Sequence, residues 1–199
     1  MDNEIKIRLV KPEDALELQR IYKQYVKHTA ITFECNVPTV SEFKERIINT
    51  LKKYPYLKAV YNDKIVGYTY VGPLITRAAC NWSVETSIYV DENYKKLGIG
   101  SKLYDSLEKI LIKQNITNLY ACISYPKIED EYLTKNSVSY HEKQGYKFVG
   151  EFHNCAYKFN KWYNMIWMEK IIGNHSENIS DIKNFNDIKN EIKEEYNIY

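Results

Sequence analysis

Apolar residues recur along this chain with two alternating periods, and the switches between them outline its elements. Ile5, Ile7 and Leu9 alternate with Lys6 and Arg8 as a short strand, and Pro12-Glu13-Asp14 then opens a helix with proline in its first turn and acids at its positive end. Ala15, Leu18, Ile21, Tyr22, Tyr25 and Val26 give that helix one apolar stripe. Residues 28–38 read as a loop, after which Thr39 or Ser41 caps a second helix carrying Phe43, Ile47, Ile48 and Leu51.

The period then shortens. Residues 56–61, the turn Asn62-Asp63-Lys64 and residues 65–71 form a hairpin, and residues 82–90 the next strand. A helix over 98–113 carries Leu103, Leu107, Ile110 and Leu111, and a strand over 118–124 alternates Leu119, Ala121 and Ile123 with Tyr120 and Cys122. A helix over 136–144 stops at Gly145, and residues 146–149 and 163–168 are the last strands. The order β-α-α-β-β-β-α-β-α-β-β establishes an α/β chain and no more. Residues 125–135 are read as holding an extra helical turn. Beyond Gly173, Ile179, Ile182, Phe185, Ile188, Ile192 and Tyr196 keep helical spacing, so residues 1–172 are read as one domain and 173–199 as an amphipathic helical extension that docks on its own domain or on a partner subunit, with a disordered tail as the competing reading.

Composition narrows the classes. With 199 residues, 44% of them hydrophobic, the chain suits one globular domain. Its 28 basic and 26 acidic residues leave a net charge of +2, which gives no reason to expect nucleic acid or a membrane surface as partner. Cys35, Cys80, Cys122 and Cys155 lack the spacing of a metal site and read as buried, reduced thiols. Met1-Asp2-Asn3-Glu4 does not open an apolar leader, and no stretch approaches a membrane span, so a cytoplasmic protein is expected.

The chemistry concentrates where the strand ending Ile88-Tyr89-Val90 runs through Lys95-Lys96-Leu97-Gly98-Ile99-Gly100-Ser101 into a helix. A glycine-bearing turn at a helix start presents unpaired N–H groups and the positive end of the helix dipole, an anion site; a tight turn that needs glycine only for its backbone is the alternative. The third glycine of a dinucleotide turn and the Gly-Lys-Ser/Thr of a P-loop are both missing. Glu85, in an otherwise apolar or neutral strand, is either a group facing a cleft or a salt-bridged structural residue. Ser137 and His141 share a helix face, but without a nucleophile elbow they do not make a serine hydrolase.

The Lys95 to Gly100 turn resembles the acetyl-CoA loop of the GNAT N-acetyltransferase superfamily, with Lys95 where that family usually has Gln or Arg. Thr32-Phe33-Glu34, Tyr54-Pro55, Gly67 to Pro73, Arg77, Trp82-Ser83-Val84-Glu85, Tyr140-His141-Glu142 before Gly145-Tyr146, and Tyr157-Lys158 with Trp162 are similar, in the same order, to the phosphinothricin acetyltransferase subgroup. The resemblance implies the GNAT acyl-CoA N-acyltransferase fold, a mixed, mostly antiparallel sheet flanked by helices. It implies acetyl-CoA as co-substrate without a metal, a homodimer, and a small amino-acid-like acceptor of the phosphinothricin, methionine sulfoximine or methionine sulfone type. Other amines, or acetyl-CoA binding without turnover, are the alternatives.

By resemblance, Glu85 is the general base and His141 a proton donor or relay near the thioester sulfur, with Tyr140 as the fallback. Ile88, Tyr89 and Val90 contact the cofactor through their backbone, Lys95 to Ser101 hold its pyrophosphate, and Ser137 touches its pantetheine or phosphate part. On the acceptor side Arg77 is the cationic fork for a carboxylate or phosphinate, Phe33 and Glu34 cover the pocket with Glu34 on the ammonium, and Tyr157 and Lys158 close its other side.

Overall fold

The computed structural model describes residues 4–199. Met1 to Asn3, part of the segment searched for a leader, lie outside the described residues. Seven strands form one sheet, β1 (Lys6–Leu9), β2 (Tyr56–Tyr61), β3 (Lys64–Pro73), β4 (Ser83–Val90), β5 (Asn118–Tyr125), β6 (Lys147–Lys158) and β7 (Lys161–Ile171), in the order β1-β2-β3-β4-β5-β7-β6. Every neighbouring pair is antiparallel except β4 and β5.

Helices α1 (Ala15–His28) and α2 (Val40–Leu51) cover one face, and α3 (Ile99–Lys113), α4 (Asn136–Lys143) and α5 (Phe185–Tyr196) the other. Thr39 rather than Ser41 starts α2: its hydroxyl accepts from Glu42 N–H while the Glu42 carboxylate accepts from Thr39 N–H at 2.7 Å, a reciprocal capping box. The helix buries Phe43 and Ile47 but leaves Ile48 exposed. The α1/α2 face of the sheet is aromatic, with Tyr22, Tyr56, Tyr68 and Tyr89 in mutual ring contact. The other face is aliphatic, built around Val84, Leu103, Leu107 and Ile166.

Three expectations need correction. Residues 125–135 form no helical turn; Asp130 organises them instead, its carboxylate accepting from the N–H groups of Tyr132 and Leu133 at 2.8 and 2.9 Å, so that Leu133 is buried. Strand β6 runs on to Lys158 through two irregularities, at Phe148/Gly150 and Phe152/Ala156, which break the alternation that sequence reading follows. The thiols are unpaired, but Cys35 and Cys155 are exposed and the other two partly so, rather than buried.

The segment after Gly173 packs on its own chain. Phe185, Ile188 and Ile192 join the aliphatic core beside α3, Phe185 N–H donates to Lys53 C=O at 3.1 Å, and Leu9 N–H on edge strand β1 donates to Tyr199 C=O at 2.8 Å. No helix among the described residues is long and apolar enough to cross a membrane. If the extension is integral to the core, Ile192→Ala, at a fully buried position, lowers unfolding free energy by about 3 kcal/mol. Urea denaturation reads this directly, and a loss below about 0.5 kcal/mol, as at an ordinary surface site, would show that the core does not depend on α5.

Candidate active site

The parallel strands β4 and β5 stay paired only from Ser83↔Asn118 to Glu85↔Tyr120. Beyond that they part. Asp91 N–H donates to Val66 C=O on β3, and Ser87 C=O accepts from the Thr69 hydroxyl on β3, so odd-numbered residues of β4 turn their backbone groups toward β3. Thr86, Ile88 and Val90 therefore turn theirs toward the opening. The Tyr25 hydroxyl occupies both groups of Val90, donating to its C=O at 2.5 Å and accepting from its N–H at 3.2 Å. Ile88 is left with its N–H facing the gap and no strand beside it. A small cleft of about 70 Å³ fills the gap, lined by Ile88 and Tyr89 on β4, Cys122 and Ser124 on β5, and Ser137 and His141 on α4.

At the far end of β4 the chain turns into α3. Arg20 holds the buried Asp91 carboxylate at 2.7 Å and fixes the start of the turn, while Lys96 and Gly98 take left-handed backbone angles, φ 66° and 77°. The first intrahelical bond is Lys102 N–H to Gly98 C=O, and no side chain caps the helix. The N–H groups of Ile99, Gly100 and Ser101 thus form a bare positive terminus beside the exposed Lys95 and Lys96. Gly100 also makes room for α4, since a Cβ there would lie 2.9 Å from the Tyr140 hydroxyl.

On the aliphatic side of the opening, His141 is buried with both ring nitrogens engaged. Nδ1 lies 2.7 Å from Ser137 C=O and Nε2 3.0 Å from the Tyr104 hydroxyl. A carbonyl only accepts, so the partners assign the proton to Nδ1 and leave Nε2 accepting from Tyr104. Burial pushes the imidazole pKa down, and the ring is neutral at pH 7. The Thr86 hydroxyl donates to Tyr120 C=O at 3.0 Å and meets the Tyr104 and Tyr146 hydroxyls at 3.3 and 3.2 Å. Tyr104 and His141 both line the cleft, and the proton between them sits on Tyr104. The Tyr140 hydroxyl is buried without a partner among the described residues.

On the aromatic side Glu85 is partly buried, its carboxylate has no hydrogen-bond or ion-pair partner among the described residues, and burial alone pushes its pKa up. Tyr70 and the Cys122 thiol lie near enough to feel its charge; burial first, and Glu85 second, push that thiol up to about 12. Loop 29–39 lies over this side. Thr32 anchors it through the Tyr22 hydroxyl at 2.8 Å and through Lys158 Nζ, which donates to Thr32 C=O at 2.8 Å. Burial lowers the pKa of this lysine. Glu34 is held by Arg46 in a two-point ion pair at 2.7 and 3.3 Å.

The structure thus brings Ile88, Tyr89, Ser137 and His141 to one cleft, with Glu85 on the opposite face of β4 and the Lys95 to Ser101 turn at its end. Phe33 lies partly buried beside Leu133 and Tyr163, and Lys158 reaches the same loop. Two residues are placed otherwise. Tyr157 stands exposed on the hairpin against Trp162, and Arg77 is exposed in the β3–β4 connection without a side-chain partner among the described residues. Sequence reading missed Tyr25, Arg46, Tyr70, Thr86 and Tyr104. The tyrosines sit in apolar stripes where they look like core, and Arg46 looks like an ordinary helix charge.

Comparison with known proteins agrees with this architecture. The family description "Acetyltransferase (GNAT) domain" matches residues 7–167. The chain is similar to a phosphinothricin N-acetyltransferase of Streptomyces coelicolor, 30% identical over 171 residues, which span 84% of this chain and 96% of that protein. Its counterpart in Streptomyces viridochromogenes is 28% identical over 161 residues, 81% and 84% of the two chains. In fold it is similar to the crystal structure of a GNAT superfamily phosphinothricin acetyltransferase from Sinorhizobium meliloti in complex with AcCoA, with a TM-score of 0.80 at 21% identity over 91% and 98% of the two chains. The opened pair of parallel strands, the bare helix terminus beside it and a family match over most of the chain lead to one conclusion: the chain belongs to the GNAT acetyltransferase family.

Proposed function

We propose that this chain is an acetyl-CoA-dependent N-acetyltransferase for the α-amino group of a small amino-acid-like acceptor, of the phosphinothricin or methionine sulfone type. The observation that carries the reading is that β4 and β5 part just beyond the unpartnered Glu85 carboxylate, leave Ile88 N–H facing the gap, and are followed at the end of β4 by an uncapped helix terminus. Acetyl-CoA supplies an activated acetyl thioester. The N–H groups of Ile99 to Ser101, with Lys95 and Lys96, suit its pyrophosphate. Ser137, Ile88 and Tyr89 line the path of its pantetheine arm.

Ile88 N–H stabilises the negative charge that grows on the carbonyl oxygen during attack. Glu85, directly or through one water, takes a proton from the acceptor ammonium and leaves a neutral amine as nucleophile. As the tetrahedral centre collapses to the amide, its nitrogen loses a second proton and the thiolate gains one. Tyr104 turns its hydroxyl from His141 Nε2 to the departing sulfur, gives it that proton and regains one from the nitrogen; His141 positions the donor. Arg77 is free to meet an anionic end of the acceptor, and Phe33 and Glu34 cover the pocket. The reading includes a cytoplasmic location, which suits the free thiols, and a homodimer, for which the exposed Tyr157 and Trp162, in ring contact on the β6–β7 hairpin, offer apolar surface.

The first test is thiol release from acetyl-CoA with a panel of acceptors. Turnover of phosphinothricin or methionine sulfone, with polyamines and aminoglycosides inert, is expected; the reverse pattern would contradict the reading. The raised pKa of Glu85 gives a second test. A base works only when ionised, so kcat/KM falls as pH drops through a value above the ordinary glutamate range near 4.3. Glu85→Gln removes that limb and lowers kcat about 100-fold; an unchanged rate under saturating substrates would exclude Glu85 as the base. For the relay, Tyr104→Phe is expected to lower kcat at least about tenfold with the KM for acetyl-CoA within about threefold. Equal activity in the variant would exclude it.

A further inference from the structure

Among the described residues the close ion pairs fall into two kinds, and Arg46–Glu34, like Lys113–Glu191 at 23 and 53% exposed, is of the open kind. Lys58–Asp14 and Lys170–Glu108 are largely buried, with side-chain exposures of 14 and 17% and of 24 and 18%, and tie elements of the core together. Arg46 and Glu34 are 49 and 36% exposed. An ion pair so open to water contributes little to stability and exchanges readily with another carboxylate. Its geometry is nevertheless the strong one, a guanidinium fork holding both oxygens of one carboxylate.

Its position gives that openness a purpose. Arg46 lies close enough to Tyr22, Tyr56 and Tyr70 to act on each electrostatically, and Tyr70 also feels Glu85 and Glu34. The guanidinium therefore stands on the Glu85 face of the sheet, around the same tyrosine as the free carboxylate. The loop that carries Glu34 is fixed at Thr32 by Tyr22 and Lys158. Its backbone stays anchored when the Glu34 side chain lets go.

Resting on the function proposed above, we infer that Arg46 binds the α-carboxylate of the acceptor and that Glu34 is its internal stand-in, displaced when the acceptor enters. The exchange conserves charge: one carboxylate leaves the fork as another arrives, and the released Glu34 faces the ammonium group that the same acceptor carries. No new desolvated charge is left unpaired at any stage. Arg77, free in its exposed loop, then serves the far, side-chain end of the acceptor. This assignment predicts a preference for free amino acids over amines that lack a carboxylate.

The test compares methionine sulfone with its carboxamide, which keeps the α-amine and removes the negative charge. Arg46→Met is expected to lower kcat/KM for the free acid about 30-fold and to change that for the carboxamide less than about threefold, with the KM for acetyl-CoA unchanged. Equal losses on both acceptors would show that Arg46 only ties the loop to α2 and would overturn the assignment. The des-amino carboxylate analogue, as a competitive inhibitor, reads the stand-in separately. Its Ki is expected to fall about fivefold in Glu34→Gln, where the fork is vacant, and to rise in Arg46→Met; an unchanged Ki in Glu34→Gln would overturn the exchange. Absence of turnover of either acceptor by the wild-type chain would instead overturn the acceptor reading itself, and the Arg46 assignment with it.

Discussion

The parting of β4 and β5 is the constraint on which the rest of this molecule depends. Two parallel strands in the middle of a sheet would ordinarily satisfy each other's backbone groups along their length, yet here pairing ends at Glu85↔Tyr120. The unpaired stretch survives because other groups take over where the cleft is not needed. Thr86 caps Tyr120 C=O with its hydroxyl, Tyr25 satisfies both groups of Val90, and the Ser124 hydroxyl donates to Ile31 C=O at 3.0 Å. What remains is a slot through the sheet that joins its two faces, with Ile88 N–H aimed into it.

The two faces then divide the chemistry. The aliphatic face holds a neutral chain of hydroxyls and imidazole, and the aromatic face a lone carboxylate among tyrosines. Burial acts on both sides in the same sense, disfavouring charge: it raises Glu85 and lowers His141. Two titratable groups shifted toward neutrality therefore follow from the packing that closes the slot.

Much of this was legible in the sequence because it rests on local patterns. The stripe of α1, the alternation of β5 and the glycine at the start of α3 each appear where their residues predict them, and the cap of α2 falls on Thr39, one of the two candidates. The motif order around Glu85 and His141 points to the region where β4 and β5 part, and both residues stand there. What escaped depends on contacts far apart in the chain. Tyr104 meets His141 only because α4 brings the two together across 37 positions, and Tyr25 meets Val90 across 65. Arg46 reads as a solvated helix charge until loop 29–39 lays Glu34 on it. The irregularities that lengthen β6 are likewise invisible to a search for regular alternation.

The most direct measurement is a crystal structure of the protein with acetyl-CoA bound. The account predicts that the arm threads the slot between β4 and β5, that the thioester carbonyl oxygen accepts from Ile88 N–H, and that the sulfur lies on the Tyr104 side with Glu85 across the strand. Acetyl-CoA bound outside the slot, or a carbonyl oxygen held by groups other than Ile88 N–H, would contradict it.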